Sequence, residues 1–179
     1  DAPSRLTRRY VPTLVAAPKG VTLSGVVAGH FHSCAEGSDG NVYCWGYNVV
    51  GQLGDGTTTN RLSPVKVSAP ASVTLSRLSA GDYHTCAHGS DGQVYCWGRS
   101  ENGQLGDGSE GDRATPAAVT PPAGVELSSP SVGFGHVCAV GSRRVYCWGN
   151  NTSGQVGYGT RIPRPLPTIV AGVTSSPMP

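Results

Sequence analysis

Apolar and β-branched residues in this chain come in short runs, each cut off by Gly, Pro, Asp or Ser. The first set is Val21-Thr22-Leu23 leading into Val26-Val27-Ala28. His32-Ser33-Cys34-Ala35, Val42-Tyr43-Cys44-Trp45 and Pro64-Val65-Lys66-Val67 follow. Runs of this length with this punctuation predict β-strands. Nowhere do apolar residues keep the three-and-four spacing of an amphipathic helix over several turns, so the pattern predicts an all-β chain.

The set then recurs at a period of about fifty-two residues, the signature of stacked supersecondary units. Gly29-His30-Phe31-His32-Ser33-Cys34-Ala35 is matched by Gly81-Asp82-Tyr83-His84-Thr85-Cys86-Ala87 and by Gly133-Phe134-Gly135-His136-Val137-Cys138-Ala139. Val42-Tyr43-Cys44-Trp45-Gly46 returns at Val94–Gly98 and Val145–Gly149. Gly51-Gln52-Leu53-Gly54-Asp55-Gly56 returns at Gly103–Gly108 and, as Gly154-Gln155-Val156-Gly157-Tyr158-Gly159, a third time. The repeated His32, His84 and His136, and Trp45, Trp97 and Trp148, read as structural positions because each recurs with its unit.

The six cysteines come one pair per unit: Cys34 with Cys44, Cys86 with Cys96, Cys138 with Cys147. If Cys34 faces Cys44 across a hairpin, the turn centres on Asp39. The loop is then Ser38-Asp39-Gly40, a three-residue connection with Gly in the left-handed conformation. Ser90-Asp91-Gly92 does the same in the second unit. The third has lost one residue, and an even-numbered loop around Ser142-Arg143 still sets Cys138 opposite Cys147. Directly opposed strand residues suit a disulfide. A zinc site at His32, His84 or His136 with the nearby thiols lacks a fourth ligand and any Cys-x-x-Cys spacing. The expectation is three disulfides, no metal, no cofactor, and an oxidising, extracellular or cell-surface location.

Composition narrows the function. Charged residues are 13% of the 179, with 26 Gly and 14 Pro, which suits short strands and tight turns. The formal charge of +2 gives no case for nucleic acid, and Arg5, Arg8 and Arg9 read as a short solvated arm. No run of eighteen apolar residues is present, so no membrane insertion is expected. The opening on Asp1 fits either a removed signal peptide or a trimmed chain. The Gly-Gln-Leu-Gly-Asp-Gly stretches lack the Lys-Ser/Thr of a phosphate loop, and isolated Asp-Gly turns lack calcium's array of oxygens. His30 and His88 occur once each and read as surface histidines. No Ser or Cys carries a nucleophile signature, so no enzyme is expected. Asn150 and Asn151 each begin an Asn-x-Ser/Thr sequon, an acceptor for N-glycosylation.

Taken together, Gly29, His32, Ala35, Val42, Tyr43, Trp45, Gly46, Asn48, Gly51, Gln52, Leu53, Gly54, Arg61, Pro64 and Val67 resemble the repeat of the regulator of chromosome condensation family. The resemblance covers about residues 20–170. It implies β-propeller blades of four antiparallel strands, and its cysteines resemble secreted, bacterial-like variants. The expected division is the tail of a preceding blade at 1–19, blades at 20–71, 72–123 and 124–171, and the start of a further blade at 172–179. Arg-x-x-Pro occurs four times, at Arg9/Pro12, Arg61/Pro64, Arg113/Pro116 and Arg164/Pro167. Three full blades fall short of the usual ring of 4–8. The leading expectation is therefore a non-catalytic extracellular module that self-assembles through open blade edges into a ring, filament or surface layer. The alternative is a propeller, or part of one, that binds or inhibits another protein through its loops. Tyr47-Asn48-Val49-Val50, Arg99-Ser100-Glu101 and Asn150-Asn151-Thr152 are the candidate contacts.

Overall fold

A computed structural model describes residues 11–172. Twelve strands make three separate four-stranded antiparallel sheets, and among the described residues there is no helix. The first sheet holds β1 (Leu23–Ala28), β2 (His32–Gly37), β3 (Val42–Gly46) and β4 (Arg61–Lys66), in chain order. The second holds β5 (Leu75–Ala80), β6 (His84–Gly89), β7 (Val94–Gly98) and β8 (Arg113–Ala118). The third holds β9 (Leu127–Val132), β10 (His136–Gly141), β11 (Arg144–Gly149) and β12 (Arg164–Ile169). Each is an up-and-down propeller blade, and no sheet closes on itself. β5 packs against β1 and β2, and β9 against β5, β6 and β7, so the first strand of each blade carries much of the blade-to-blade contact.

Register follows from the turns. Gly37 N–H donates to Asn41 O at 2.7 Å and Gly40 has φ +77°, giving the three-residue loop Ser38-Asp39-Gly40. Asp39 accepts from Tyr43 Oη at 2.7 Å, and Asp91 from Tyr95 Oη at 2.7 Å, tying each tip to its own strand. The third tip has no Asp and is a two-residue turn with Gly141 opposite Arg144. Ser142 and Arg143 sit at φ 49° and 61°. In all three blades the cysteines face one another across the central hairpin and are joined: Cys34–Cys44, Cys86–Cys96 and Cys138–Cys147. The first two bridges lie inside the cores, while Cys138 of the third is only partly buried. One core combines Cys34, Val42, Cys44, Leu53 and Val67 of the first blade with Leu75, Ala87, Tyr95 and Trp97 of the second. The other repeats that arrangement between the second and third blades, around Leu105 and Trp148.

The ends differ from the simple repeat. Val11–Val15 form no strand and lie largely exposed, although Pro12 falls where Pro64 sits in β4. β4 exists because β3 pairs with it, and the described residues offer Val11–Val15 no such neighbour. Arg5, Arg8 and Arg9, and residues 173–179 of the expected further blade, lie outside the described residues. No described helix is long and apolar enough to cross a membrane.

Candidate interaction surfaces

The seam between blades is made by the loop from third to fourth strand. Gly54 of the first blade lies against the indole of Trp97 in the second. A Cβ there would stand 2.7 Å from Nε1. Gly106 meets Trp148 in the same way, at 2.6 Å. Gly56 N–H donates to Ala114 O at 2.9 Å and Gly108 N–H to Pro165 O at 3.1 Å, so the seam is also stitched by backbone. Trp97 and Trp148 are wholly buried as a result. Trp45 is only half-buried, and among the described glycines none stands against it. At the other end, among the described residues, Gly154 and Gly159 meet nothing within 4 Å and Gly157 meets only Val170 of its own blade. Among the described residues, each half of the seam is thus present once without its counterpart.

Each seam loop is braced from within. Asn48 is fully buried, accepts from Leu53 N–H at 2.9 Å and donates to Thr57 O and Thr59 O. Arg61 pairs with Asp55 at 2.7 Å, and Arg113 with Asp107 at 3.0 Å. Burial pushes the Asp55 and Asp107 carboxyls up, but hydrogen bonds from Thr57 and Arg61, or Ser109 and Arg113, outweigh it and hold both below the usual range. In the third loop Tyr158 replaces the aspartate. Arg164 lies over its ring at 4.1 Å, a cation–π contact in place of the ion pair.

The histidines sit at the blade-to-blade contacts near β1, β5 and β9. His32 Nε2 stands 2.8 Å from Thr85 Oγ1, which also reaches Gln52 O at 3.1 Å. The hydroxyl has one proton and the carbonyl can only accept, so Thr85 donates to Gln52 and accepts from His32. Val137 holds the repeat position of Thr85 in the next blade and offers no hydroxyl, and neither ring nitrogen of His84 has a partner among the described residues. There Trp148 Nε1 takes the Gln104 carbonyl at 3.0 Å, whereas Trp97 Nε1 has none. Burial lowers the His32 pKa to about 4, a nearby Asp82 charge offsetting only part, and His84 to about 3. His136 is lowered by the same cause. No group of three or more metal-binding side chains occurs among the described residues.

The turns that join first to second and third to fourth strands lie at one end of the blades, and there the proposed contact stretches divide. Tyr47 and Val49 are exposed, and Arg99 and Glu101 pair at 2.5 Å on the surface, while Asn48, Ser100 and Asn151 are buried braces. Asn151 gives its amide to Thr160 O and Ile162 O at 2.8 and 3.0 Å, so the nitrogen a glycan would take is engaged inside the fold. Asn150, half-buried, keeps only its oxygen engaged, with Thr152 and Gln155.

Sequence reasoning missed the rest of this end. His30 is not an isolated surface histidine: Nδ1 lies 2.5 Å from the buried carboxylate of Asp82 in the next blade. Its ring stacks on Phe31 at 4.0 Å. Phe31, Tyr47 and Tyr83 form a triangle with centroids 5.8–6.0 Å apart, and Arg99 lies 5.5 Å from the Tyr83 centroid. Phe134 is 74% exposed and lines a small recess with Tyr83 and Arg99. The signal was available: after each repeated Gly the pair varies, as His30-Phe31, Asp82-Tyr83 and Phe134-Gly135. Both of the chain's 2 Phe fall there.

Comparison with known proteins bears on both surfaces. The model of the regulator of chromosome condensation (RCC1) repeat matches residues 39–88, 91–140 and 144–178, and a second model of that repeat matches 24–52 and 76–104. The first frame runs from the middle of one blade into the next, which a periodic chain allows. The ultraviolet-B receptor UVR8 of Arabidopsis thaliana is 35% identical over 169 residues, covering 94% of this chain and 38% of the receptor. The probable E3 ubiquitin-protein ligase HERC3 of Homo sapiens is 34% identical over 163 residues, 90% of this chain and 16% of the ligase. The chain thus spans well under half of these relatives. Human WBSCR16 superposes with a TM-score of 0.76 at 22% identity, over 88% of this chain and 41% of that one. Prp20p of Saccharomyces cerevisiae, a protein with binding properties to Gsp1p and histones, gives 0.75 at 21% identity, over 86% and 39%.

Proposed function

The chain belongs to the regulator of chromosome condensation repeat family, and from that premise we propose that it is a non-catalytic protein-interaction module outside the reducing cytoplasm whose blades are completed by blades of further copies. One observation carries the reading. The tryptophan-against-glycine seam is built twice, and among the described residues its two halves recur unpaired as Trp45 and as the Gly154–Gly159 loop. A second copy offers the matching half at each end, so the contact is head-to-tail. Such contacts give a ring where the rotation closes and a filament where it does not. Three disulfides accord with an oxidising compartment, and protein binding by Prp20p, which shares the fold, supports a partner of protein nature.

Light scattering on the chain as it stands, alongside Gly154→Ala, tests this. Gly154 has φ +81° and open space around it, so the substitution strains the backbone by about 1 kcal/mol and adds a methyl where Gly103 meets Pro165 in the paired seam. The expected result is a multimer for the parent and a folded monomer for the variant. A parent chain that stays monomeric at every concentration overturns the reading.

A further inference from the structure

We infer that the loop end of the blades is a docking site for an extended protein segment carrying an aliphatic or proline side chain beside a basic one. This rests on the reading of the chain as a protein-interaction module, and uses side chains other than Trp45 and the Gly154–Gly159 loop of the head-to-tail seam.

Three observations converge. First, the apolar side chains are placed against their ordinary preference. Phe31 is 51% exposed, Val49 49% and Phe134 74%, and with Tyr47 and Tyr83 they sit on loops of all three blades. Aromatic residues held out of the core at one end of a rigid scaffold mark an interface, since Tyr, Arg and other large side chains carry most binding energy. Secondly, the group is rigid before any partner arrives. The triangle of rings, the His30 stack and the His30–Asp82 pair across two blades fix it, so little order remains to be imposed on binding.

Thirdly, the charge beside the rings has a sign. A groove of about 340 Å³ runs along Tyr47, Val49, Val50 and Tyr83 and ends at Arg99, Glu101 and Asp112. The Arg99 guanidinium is already taken by Glu101 and the Tyr83 face. Asp112 is exposed, accepts only Ser100 N–H at 2.9 Å, and has no cationic partner among the described residues. The groove therefore joins an apolar, aromatic wall to a surplus carboxylate. Aliphatic or proline rings pack on such walls, and an extended backbone brings the next but one side chain to the acidic end. A Lys or Arg there meets Asp112 and Glu101.

The test is fluorescence polarisation with labelled ten-residue Pro/Leu peptides carrying Arg or Lys, against the same peptides with Glu in those positions. Basic peptides are expected to bind at least tenfold more tightly than acidic ones. Phe31→Ala and Asp112→Asn should each weaken binding tenfold or more while urea midpoints stay near the parent's, because both side chains are exposed. No binding of the basic set, or equal binding of the acidic set, overturns the inference. So does capture of an oligosaccharide, or of a second copy through this end, by the same residues. Light scattering on the same variants separates the two proposals. If peptides bind while the parent is monomeric, only the head-to-tail reading falls. If the chain assembles and no peptide binds, only the docking site falls.

Discussion

Replacing Thr85 by Val should cost stability, and the opposite change, Val137→Thr, should add it. Thr85 Oγ1 is wholly enclosed, accepting from His32 Nε2 at 2.8 Å and donating to Gln52 O at 3.1 Å. Valine has nearly the same shape, so the packing stays and the hydroxyl alone is lost. His32 then keeps a buried N–H with no acceptor, worth about 1–3 kcal/mol. The Gln52 carbonyl is not stranded with it: Trp97 Nε1, unpartnered in the parent, can take it as Trp148 Nε1 takes Gln104 O at 3.0 Å. The net cost is about 1–2 kcal/mol. At the second seam Val137→Thr supplies His84 with the missing partner, and Gln104 O has a second lone pair for the new hydroxyl. The gain there is about 1 kcal/mol, reduced by desolvating that hydroxyl. For a domain of this size each kcal/mol moves Tm by about 2–4 °C. Urea unfolding followed by tryptophan fluorescence measures both. A Thr85→Val midpoint equal to the parent's, or a Val137→Thr variant clearly below it, refutes the assignment of these hydrogen bonds.

Acidification should weaken the fold before any carboxylate titrates. His32 and His84 stay neutral in the fold down to about 4 and about 3, against 6.5 when free, so between those values only the unfolded chain takes up the proton. Stability is level above pH 6.5 and falls below it, by about 2 kcal/mol per histidine at pH 5; a urea midpoint unchanged from pH 7.5 to 5 contradicts this. Ser142-Arg143→Asn-Gly should raise stability by about 1 kcal/mol, because both residues sit at positive φ in a two-residue turn. Thermal unfolding reads it, and no rise in Tm counts against the turn. Native chain should resist alkylation at all 6 Cys until reduced, and loss of each bridge should cost roughly 2–3 kcal/mol; free thiols in native material would remove the case for an oxidising compartment.

The fold was legible because the chain states it three times. Strand runs, hairpin phase and cysteine opposition each follow from local rules that recur at one period, so a misreading in one unit is caught by the next. Loop length and cysteine position change together in the third unit, where Gly141 closes on Arg144 and Cys138 still meets Cys147. Repetition carries no such information about what differs between units. Asn48 and Asn151 were grouped with exposed neighbours because a loop position does not reveal which side chains turn inward to brace it; the carbonyls that hold them lie nine and eleven residues away.

The docking end was missed for the reverse reason. His30 and Asp82 lie 52 residues apart and meet only because consecutive blades stack, so neither residue's local context points to the other. Thr85 and Val137 show the same limit inside the core. They occupy one repeat position with nearly the same shape, and the difference decides whether the preceding blade's histidine has a partner. In a stacked array, contacts within a blade repeat with the sequence, but contacts between blades are set by pairs one period apart. A variable position is therefore best read against its neighbour one unit away. Read that way, His30 with Asp82 and His84 with Val137 identify two places where contacts between blades depart from simple repetition, one at the loop end and one in the seam.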